Sequence, residues 1–379
     1  MRQRRLRVLT AGLLVAFLSA AAIPVDRLRS HVTFLSSPGL AGRRSTQPGA
    51  ARAAQYIFDQ FRQAGFDVRM QEFSNNRRNV VARLGSVDRH ILLGAHYDGQ
   101  DGFPSASDNA AGVAVLIELA RDLKALNLPM SIVAVAFDDE EQGLNGSNYY
   151  VDHPIFPLEQ TAAAAIFDTI GRHFLDLKRS TLFVMGTEYS RELMQIVNRR
   201  ARPDMLVAGV DLIGPRSDFA GFARKKIPFL FFSHATHKDY HGAGDRPELL
   251  DYPSIAEDVN LIELMIADVA RLANDPVYLD QPVYQSREVE TLLQLIGQVR
   301  QEKPDLPKAY QLVLADLEQR IKTDRSRATL NVGASALLAV ATPRMSSFLV
   351  EFILAPAYQK DNKPEIVRAL SEEAARSER

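Results

Sequence analysis

The chain has 379 residues, with 45 basic groups against 46 acidic ones and a formal net charge of −1. That balance gives no electrostatic footprint for nucleic acid, and the length allows one sizeable core plus an appendage. There is no cysteine, which excludes a disulfide framework and a thiol nucleophile and leaves only nitrogen and oxygen to hold any zinc.

Arg2, Arg4, Arg5 and Arg7 precede an apolar run over 8–18, followed by Ser19-Ala20-Ala21-Ala22. A basic start, a short apolar run and small residues at a cleavage point form the export pattern, which predicts a signal peptide over 1–22 and a periplasmic or secreted product. The run is shorter than the ~18 residues a membrane span needs, so no stable span is expected after cleavage. Cleavage removes four arginines and no acid, which moves the charge balance to −5.

Ala54, Ile57, Phe58 and Phe61 recur at helical spacing over 50–63, and Gly65 ends that helix. β-like runs follow at 68–73 and 79–84. A third run, 89–95, leads into His96-Tyr97-Asp98, and Asp108-Asn109-Ala110-Ala111-Gly112 then opens a helix whose apolar face is Val113, Leu116, Ile117 and Ala120. The run 131–137 leads into Asp138-Asp139-Glu140-Glu141, 162–167 ends at Asp168, and 227–232 precedes a loop carrying His241. Strands alternating with helices imply a largely parallel sheet covered on both faces. In such sheets ligands and catalytic groups gather at the carboxyl ends of the strands, so four strand ends deliver acidic and imidazole side chains to one crevice.

Ile255, Val259, Ile262, Ile266 and Val269 predict a further amphipathic helix, and Asn274-Asp275-Pro276 breaks the chain after it. The catalytic domain is therefore placed at 23–275 and a helical C-terminal extension at 276–379. Within the extension, Val289, Leu292, Leu293 and Ile296 mark one helix, and Tyr310, Val313, Leu314, Leu317 and Ile321 a second. Pro304 and Pro307 between them suggest a helical hairpin. The apolar run 334–341 is interrupted by Thr342-Pro343-Arg344 and does not read as a membrane span. The charged last twenty residues are expected to fray.

Each chemical piece has an ordinary reading alone: His-x-Asp as a polar pair, Glu-Glu as a solvated run, Asp168 as a helix cap, His241 as a loop histidine like His234 and His237. Together they are more specific. Two divalent ions a few Å apart need a bridging carboxylate and further nitrogen or oxygen ligands, and a separate carboxylate must take the proton from the attacking water. The chain has a candidate for every post.

His96-Tyr97-Asp98, Ser107-Asp108-Asn109-Ala110-Ala111-Gly112, Glu140-Glu141-Gln142-Gly143-Leu144-Asn145-Gly146-Ser147, Asp168 and Tyr240-His241 resemble the motifs of the co-catalytic di-zinc aminopeptidases, of the aminopeptidase S and aminopeptidase Y type. The resemblance covers about residues 28–272 and includes Leu40-Ala41-Gly42-Arg43. It implies the zinc exopeptidase fold, a mixed, mostly parallel central sheet flanked by helices, with the C-terminal helical extension lying outside it. It also implies two Zn²⁺ per chain: His96 and Asp168 on one, Glu141 and His241 on the other, Asp108 bridging. Glu140 becomes the general base, Asp98 the group that orients the far nitrogen of His96, and Asp108-Asn109 a site of unusual backbone geometry. The implied substrates are peptides with a free N-terminus.

Many relatives carry histidine after the Ser-Asp pair, where this chain has Phe219, a departure that touches substrate shaping or local packing and not the metal posts. Side-chain preference would be set by the loops 172–180 and 203–222. Glutaminyl cyclases share a His-x-Asp strand, a Glu-Glu pair and an Asp followed by Ile-Gly, and Asp168-Thr169-Ile170-Gly171 keeps that reading open. A non-catalytic relative is the third reading, although no ligand post is missing. There is no Gly-x-Ser-x-Gly elbow for a serine hydrolase. The extension reads as a packing appendage or self-association contact ahead of a substrate gate.

Overall fold

The fold is built on eight strands: β1 (Asp67–Phe73), β2 (Arg77–Leu84), β3 (His90–His96), β4 (Ser131–Phe137), β5 (Thr161–Phe167), β6 (Leu182–Met185), β7 (Met205–Val207) and β8 (Phe229–Ser233). The computed structural model of the chain describes residues 23–377 apart from 75, 179, 211–212, 284–285, 327–328, 331, 334–335, 338–353 and 361–362. The expected signal peptide and most of the 334–341 run lie outside the described residues.

The strands form one sheet in the order β1-β2-β4-β3-β5-β8-β6-β7. At its centre β4, β3, β5 and β8 run parallel, with His96 level with Phe137 and Phe167 level with Phe232. Their carboxyl ends therefore open on one edge. The flanks differ: β1 and β2 form an antiparallel pair that joins β4, and β6 runs antiparallel to β8.

Strands buried on both faces are apolar throughout and do not alternate, and every residue of β3, β4 and β5 is buried. Along β5, Ala163, Ala165 and Phe167 enter one core cluster and Ala164 and Ile166 the other. Helices α1 (Val25–Leu35), α2 (Pro48–Gln63), α3 (Ala111–Leu123), α5 (Arg191–Arg200) and α7 (Tyr252–Ala270) cover the first face. The second face is covered by α4 (Asn145–Asp152), α6 (Phe219–Arg224), α8 (Ser286–Glu302) and α9 (Lys308–Thr323).

The segment after Asp275 thus shares a core with the sheet. Leu292, Leu295 and Ile296 of α8 and Val313, Leu314 and Leu317 of α9 join Phe183, Met185 and Leu206 in one apolar cluster. A small cavity of about 30 Å³ remains between them, lined by Phe174, Phe183, Met185, Ile213, Leu292 and Leu295 among others. Among the described residues no helix is long and apolar enough to cross a membrane.

The sequence reading differs from the structure at four places. α1 is not anticipated, although Leu28, Val32 and Leu35 are fully buried at helical spacing. β6 and β7, at four and three residues, are too short to show a strand period. α3 begins at Ala111, with a separate turn over 106–110 ahead of it. The charged C-terminal run, expected to fray, is a helix over Pro364–Ser377, because Ile366 and Leu370 are buried in the second core cluster.

Candidate metal centre

Each parallel strand ends by placing polar side chains where the sheet opens. His96 closes β3 and Asp98 follows; Glu140 and Glu141 lie in the turn after β4; Asp168 follows β5; His241 sits in the loop after β8. Asp108 comes from the turn before α3, where the peptide bond to Asn109 is cis, an unusual geometry at the expected place. Asn109 ties this turn down, donating from Nδ2 to the Phe167 carbonyl at 2.8 Å and accepting from Gly112 N at 3.1 Å. A Cβ on Gly112 would stand 2.0 Å from Asn109 Oδ1, so only glycine admits that approach.

The structure brings all seven candidate residues together. His96 Nε2 lies 3.3 Å from Asp108 Oδ1 and 3.4 Å from Asp168 Oδ1. His241 Nε2 lies 2.9 Å from the other Asp108 oxygen, Oδ2, and 3.2 Å from Glu141 Oε2. Asp108 therefore faces one imidazole with each oxygen. Proximity groups the atoms as two trios, His96-Glu140-Asp168 and Asp108-Glu141-His241. Glu140 is the looser member of the first, with Oε2 at 4.0 Å from His96 Nε2, farther than Asp108.

These distances test whether the residues fit zinc. Tetrahedral coordination with bonds of about 2.0 Å puts neighbouring ligand atoms about 3.3 Å apart, and the four contacts between 2.9 and 3.4 Å have that spacing. Glu141 Oε1 is also buried without a hydrogen-bond partner, an arrangement that costs free energy unless something positive meets it. Nitrogen and oxygen donors in this number fit divalent cations.

Electrostatics within the protein agree. Burial opposes charge on His241, but Asp108 and Glu141 outweigh it and push the imidazole up to about 10. Burial acts on His96 in the same sense, and Glu140, Asp168 and Asp108 hold it well above its ordinary value. Burial, then Asp108, pushes Glu141 up to about 7. Glu140 is raised well above the carboxylate range by burial, with Asp168, Asp218 and Asp98 adding to it against His96.

Other residues hold this constellation in place. The Asp98 carboxylate stands 3.5 Å from His96 Nδ1 and accepts from the backbone amides of Glu140 and Glu141 at 3.0 and 3.2 Å. The Nδ1 atom lies slightly closer, at 3.3 Å, to the Asp98 main-chain carbonyl. Asp168 Oδ2 accepts from Ser217 Oγ at 2.6 Å and Oδ1 from Thr169 Oγ1 at 3.0 Å.

Four further residues support the centre: Gln100 and Asp245, to which the sequence assigned no role, and His237 and His234, which it marked as ordinary loop histidines. Gln100 donates from Nε2 to Glu141 Oε2 at 2.7 Å. Asp245 accepts from the amides of Ser107 and Asp108 at 3.0 and 3.2 Å. His237 accepts from Asp239 N at Nδ1 and lies 2.8 Å from Ser107 Oγ through Nε2, neutral because burial and Arg172 pull it down to about 4. His234 accepts from Gly171 N at Nδ1 and faces Asp258 at 3.0 Å through Nε2. Neither histidine joins the ligand set; both fix loops that carry it. The only sequence signal for these residues was their position near strand ends.

The α/β sheet thus carries two facing clusters of imidazoles and carboxylates at its carboxyl edge, a donor set that could hold metal ions. The sequence profile of Peptidase family M28 matches residues 79–265, a span that contains all seven site residues, and the match fits the co-catalytic zinc exopeptidases. It is 25% identical over 221 residues to Leucine aminopeptidase 2 of Trichophyton equinum, covering 51% of this chain and 45% of that protein. Among solved structures, the LapA aminopeptidase of Legionella pneumophila superposes with a TM-score of 0.59 at 20% identity, over 66% of this chain and 72% of that one. The glutaminyl cyclase of Porphyromonas gingivalis superposes with a TM-score of 0.56 at 20% identity, over 65% and 99%. Both likenesses show the shared fold. The chain spans less than half the length of the curated relatives it matches.

Proposed function

We propose that this chain is an exported metallo-exopeptidase, an aminopeptidase that hydrolyses the N-terminal residue of peptides with two zinc ions and Glu140 as general base. The observation that carries the reading is the orientation of Asp108, one oxygen toward His96 and the other toward His241. In this reading His96 and Asp168 would hold one ion and Glu141 and His241 the other, with an oxygen of Asp108 available to each. Export rests on the basic and apolar pattern over 1–22.

When bound, such a pair of ions supplies an activated water and polarises the scissile carbonyl. The protein's own part is proton transfer and orientation. Glu140, within reach of His96 but looser than the ligands, takes the proton of the attacking water and returns it to the leaving amine. Its raised proton affinity suits both halves of that shuttle. Asp98 fixes the backbone of the Glu140-Glu141 turn from below and faces the far nitrogen of His96, which holds the imidazole's orientation. Ser217 and Thr169 hold Asp168 at both oxygens.

The test is release of N-terminal residues from free and N-acetylated peptides by the zinc-loaded protein, with Glu140→Gln as control. Cleavage confined to free amines and lost in the control supports the aminopeptidase. Pyroglutamate formed on Gln-initiated peptides, without release, would replace it with the cyclase chemistry named for the Porphyromonas protein of the same fold.

A further inference from the structure

We infer that Arg43 is a positioning residue that pre-forms the metal centre: its buried guanidinium ties the two ligand-bearing turns, 96–98 and 105–110, to each other before any cation arrives. The inference rests on the metal-centre reading above. Arg43 is completely buried, yet no carboxylate is among its hydrogen-bond partners. It donates instead to main-chain carbonyls of four residues: Nε to Tyr97 at 2.9 Å, Nη1 to Pro104 at 3.0 Å and to Leu35, and Nη2 to Ser105 at 2.9 Å. Four of the five N–H groups of a guanidinium are thereby engaged.

The carbonyls are placed where they matter. Tyr97 lies between His96 and Asp98. The Ser105 carbonyl also accepts from Ala110 N at 3.2 Å, so one oxygen couples Arg43 to the turn that presents Asp108. The segment before Arg43 is pressed against the same loop. Ala41, Gly42 and Arg43 all have positive φ, of 47°, 83° and 59°, conformations a non-glycine residue keeps only when its surroundings hold it. A Cβ on Gly42 would stand 2.0 Å from the Gln100 carbonyl, and Gly102 N donates to the Ala41 carbonyl at 3.0 Å.

Charge gives the second reason. A buried cation without a paired carboxylate is expensive, and an apolar side chain would fill the space at lower cost. Burial works against the charge on Arg43 and pulls it down to about 10, while Asp98, Asp245, Asp108 and Glu141 favour the charge. The acidic cluster thus offsets part of the cost of burying the guanidinium. Ligands ordered in advance lose less freedom on binding, so the brace should appear as metal affinity.

The experiment measures zinc affinity by competition with a chromophoric chelator for the wild type, Arg43→Met, Arg43→Lys and Glu118→Gln. Glu118 lies in a buried network with His31, Arg27 and Arg121 and controls for destabilisation alone. Arg43→Met is expected to bind zinc about 10–100-fold more weakly, the range for groups that orient ligands. Arg43→Lys is expected to fail to rescue it, because an ammonium lacks the fixed fork of a guanidinium. Glu118→Gln keeps wild-type affinity despite a lower unfolding temperature, and saturating zinc restores turnover to the Arg43 variants with KM unchanged. A folded Arg43→Met with wild-type zinc affinity overturns the inference.

A second measurement needs no variant. In metal-free wild type, the amides of Gly102, Ala106 and Ala110 should be as protected from hydrogen exchange as in the zinc-loaded protein. Free exchange that stops only on adding zinc overturns pre-formation even if the variants do not fold. A wild type that takes up no zinc overturns the metal-centre reading itself, and this inference with it.

Discussion

Glu140 and His241 occupy posts whose loss should look different in the test tube. Glu140→Gln keeps the size of the side chain and removes its basicity. Turnover is expected to fall by about 10²–10⁴-fold, the usual weight of a general base, while metal analysis still finds the wild-type zinc content. His241→Ala removes a nitrogen that faces Asp108 and Glu141. The zinc content is expected to drop by one equivalent, because His96 and Asp168 stand on the other side of Asp108. At this scale, the side chains that converge on the centre were legible in the sequence because carboxylates and imidazoles at strand ends are conspicuous. Gln100, Asp245 and His237 were not, since they act on backbone amides or on neighbours made only by the fold. A glutamine in a loop has no distinguishing pattern until its partner is known.

The elements carry a pH dependence of their own. Glu288, in the first turn of α8, is buried against the sheet. Burial raises its carboxyl from 4.5 to about 8, Glu188 adds to the rise, and a hydrogen bond from Gly209 opposes it. The folded state thus holds this proton more tightly than the unfolded chain between those values, so stability falls as pH rises through that window. Glu288→Gln cannot lose a proton. Its thermal midpoint should gain on that of the wild type as pH rises from about 5 to about 8, a difference that a series of melting curves would read. Long, fully buried strands such as β3, β4 and β5 announced themselves by apolar content, whereas β6 and β7 are too short to do so. The C-terminal helix misled for a different reason. Its charges dominate the composition, and the two residues that dock it, Ile366 and Leu370, are inconspicuous among them.

For the whole molecule, the helices after Asp275 decide whether the sheet is covered. Leu292, Leu295, Ile296 and Val299 of α8 and Val313, Leu314, Leu317 and Ile321 of α9 are almost wholly buried, each contributing about 1.5–3 kcal/mol relative to exposure. A chain ending at Asp275 would leave Phe183, Met185 and Leu206 uncovered. It is expected to lose cooperative unfolding and to be recovered as aggregate, which expression of the shortened chain and calorimetry would check. A shortened chain that melts as sharply as the full one would make the extension a mere attachment. The sequence separated this segment by its change of rhythm but could not show which sheet face it covers, because helical spacing names an apolar side without naming its partner.

Asp108 sits between one histidine that precedes it and another that comes more than a hundred residues later. During synthesis, a nascent chain therefore offers half a centre until His241 has emerged and β8 has joined the sheet. A cation held by Asp108, Glu141 and His241 would favour only the finished arrangement, by mass action on the state that binds it. Seen from the ribosome, that second half would work as a check on completeness, rewarding the last strand to arrive and closed to a chain that stops early.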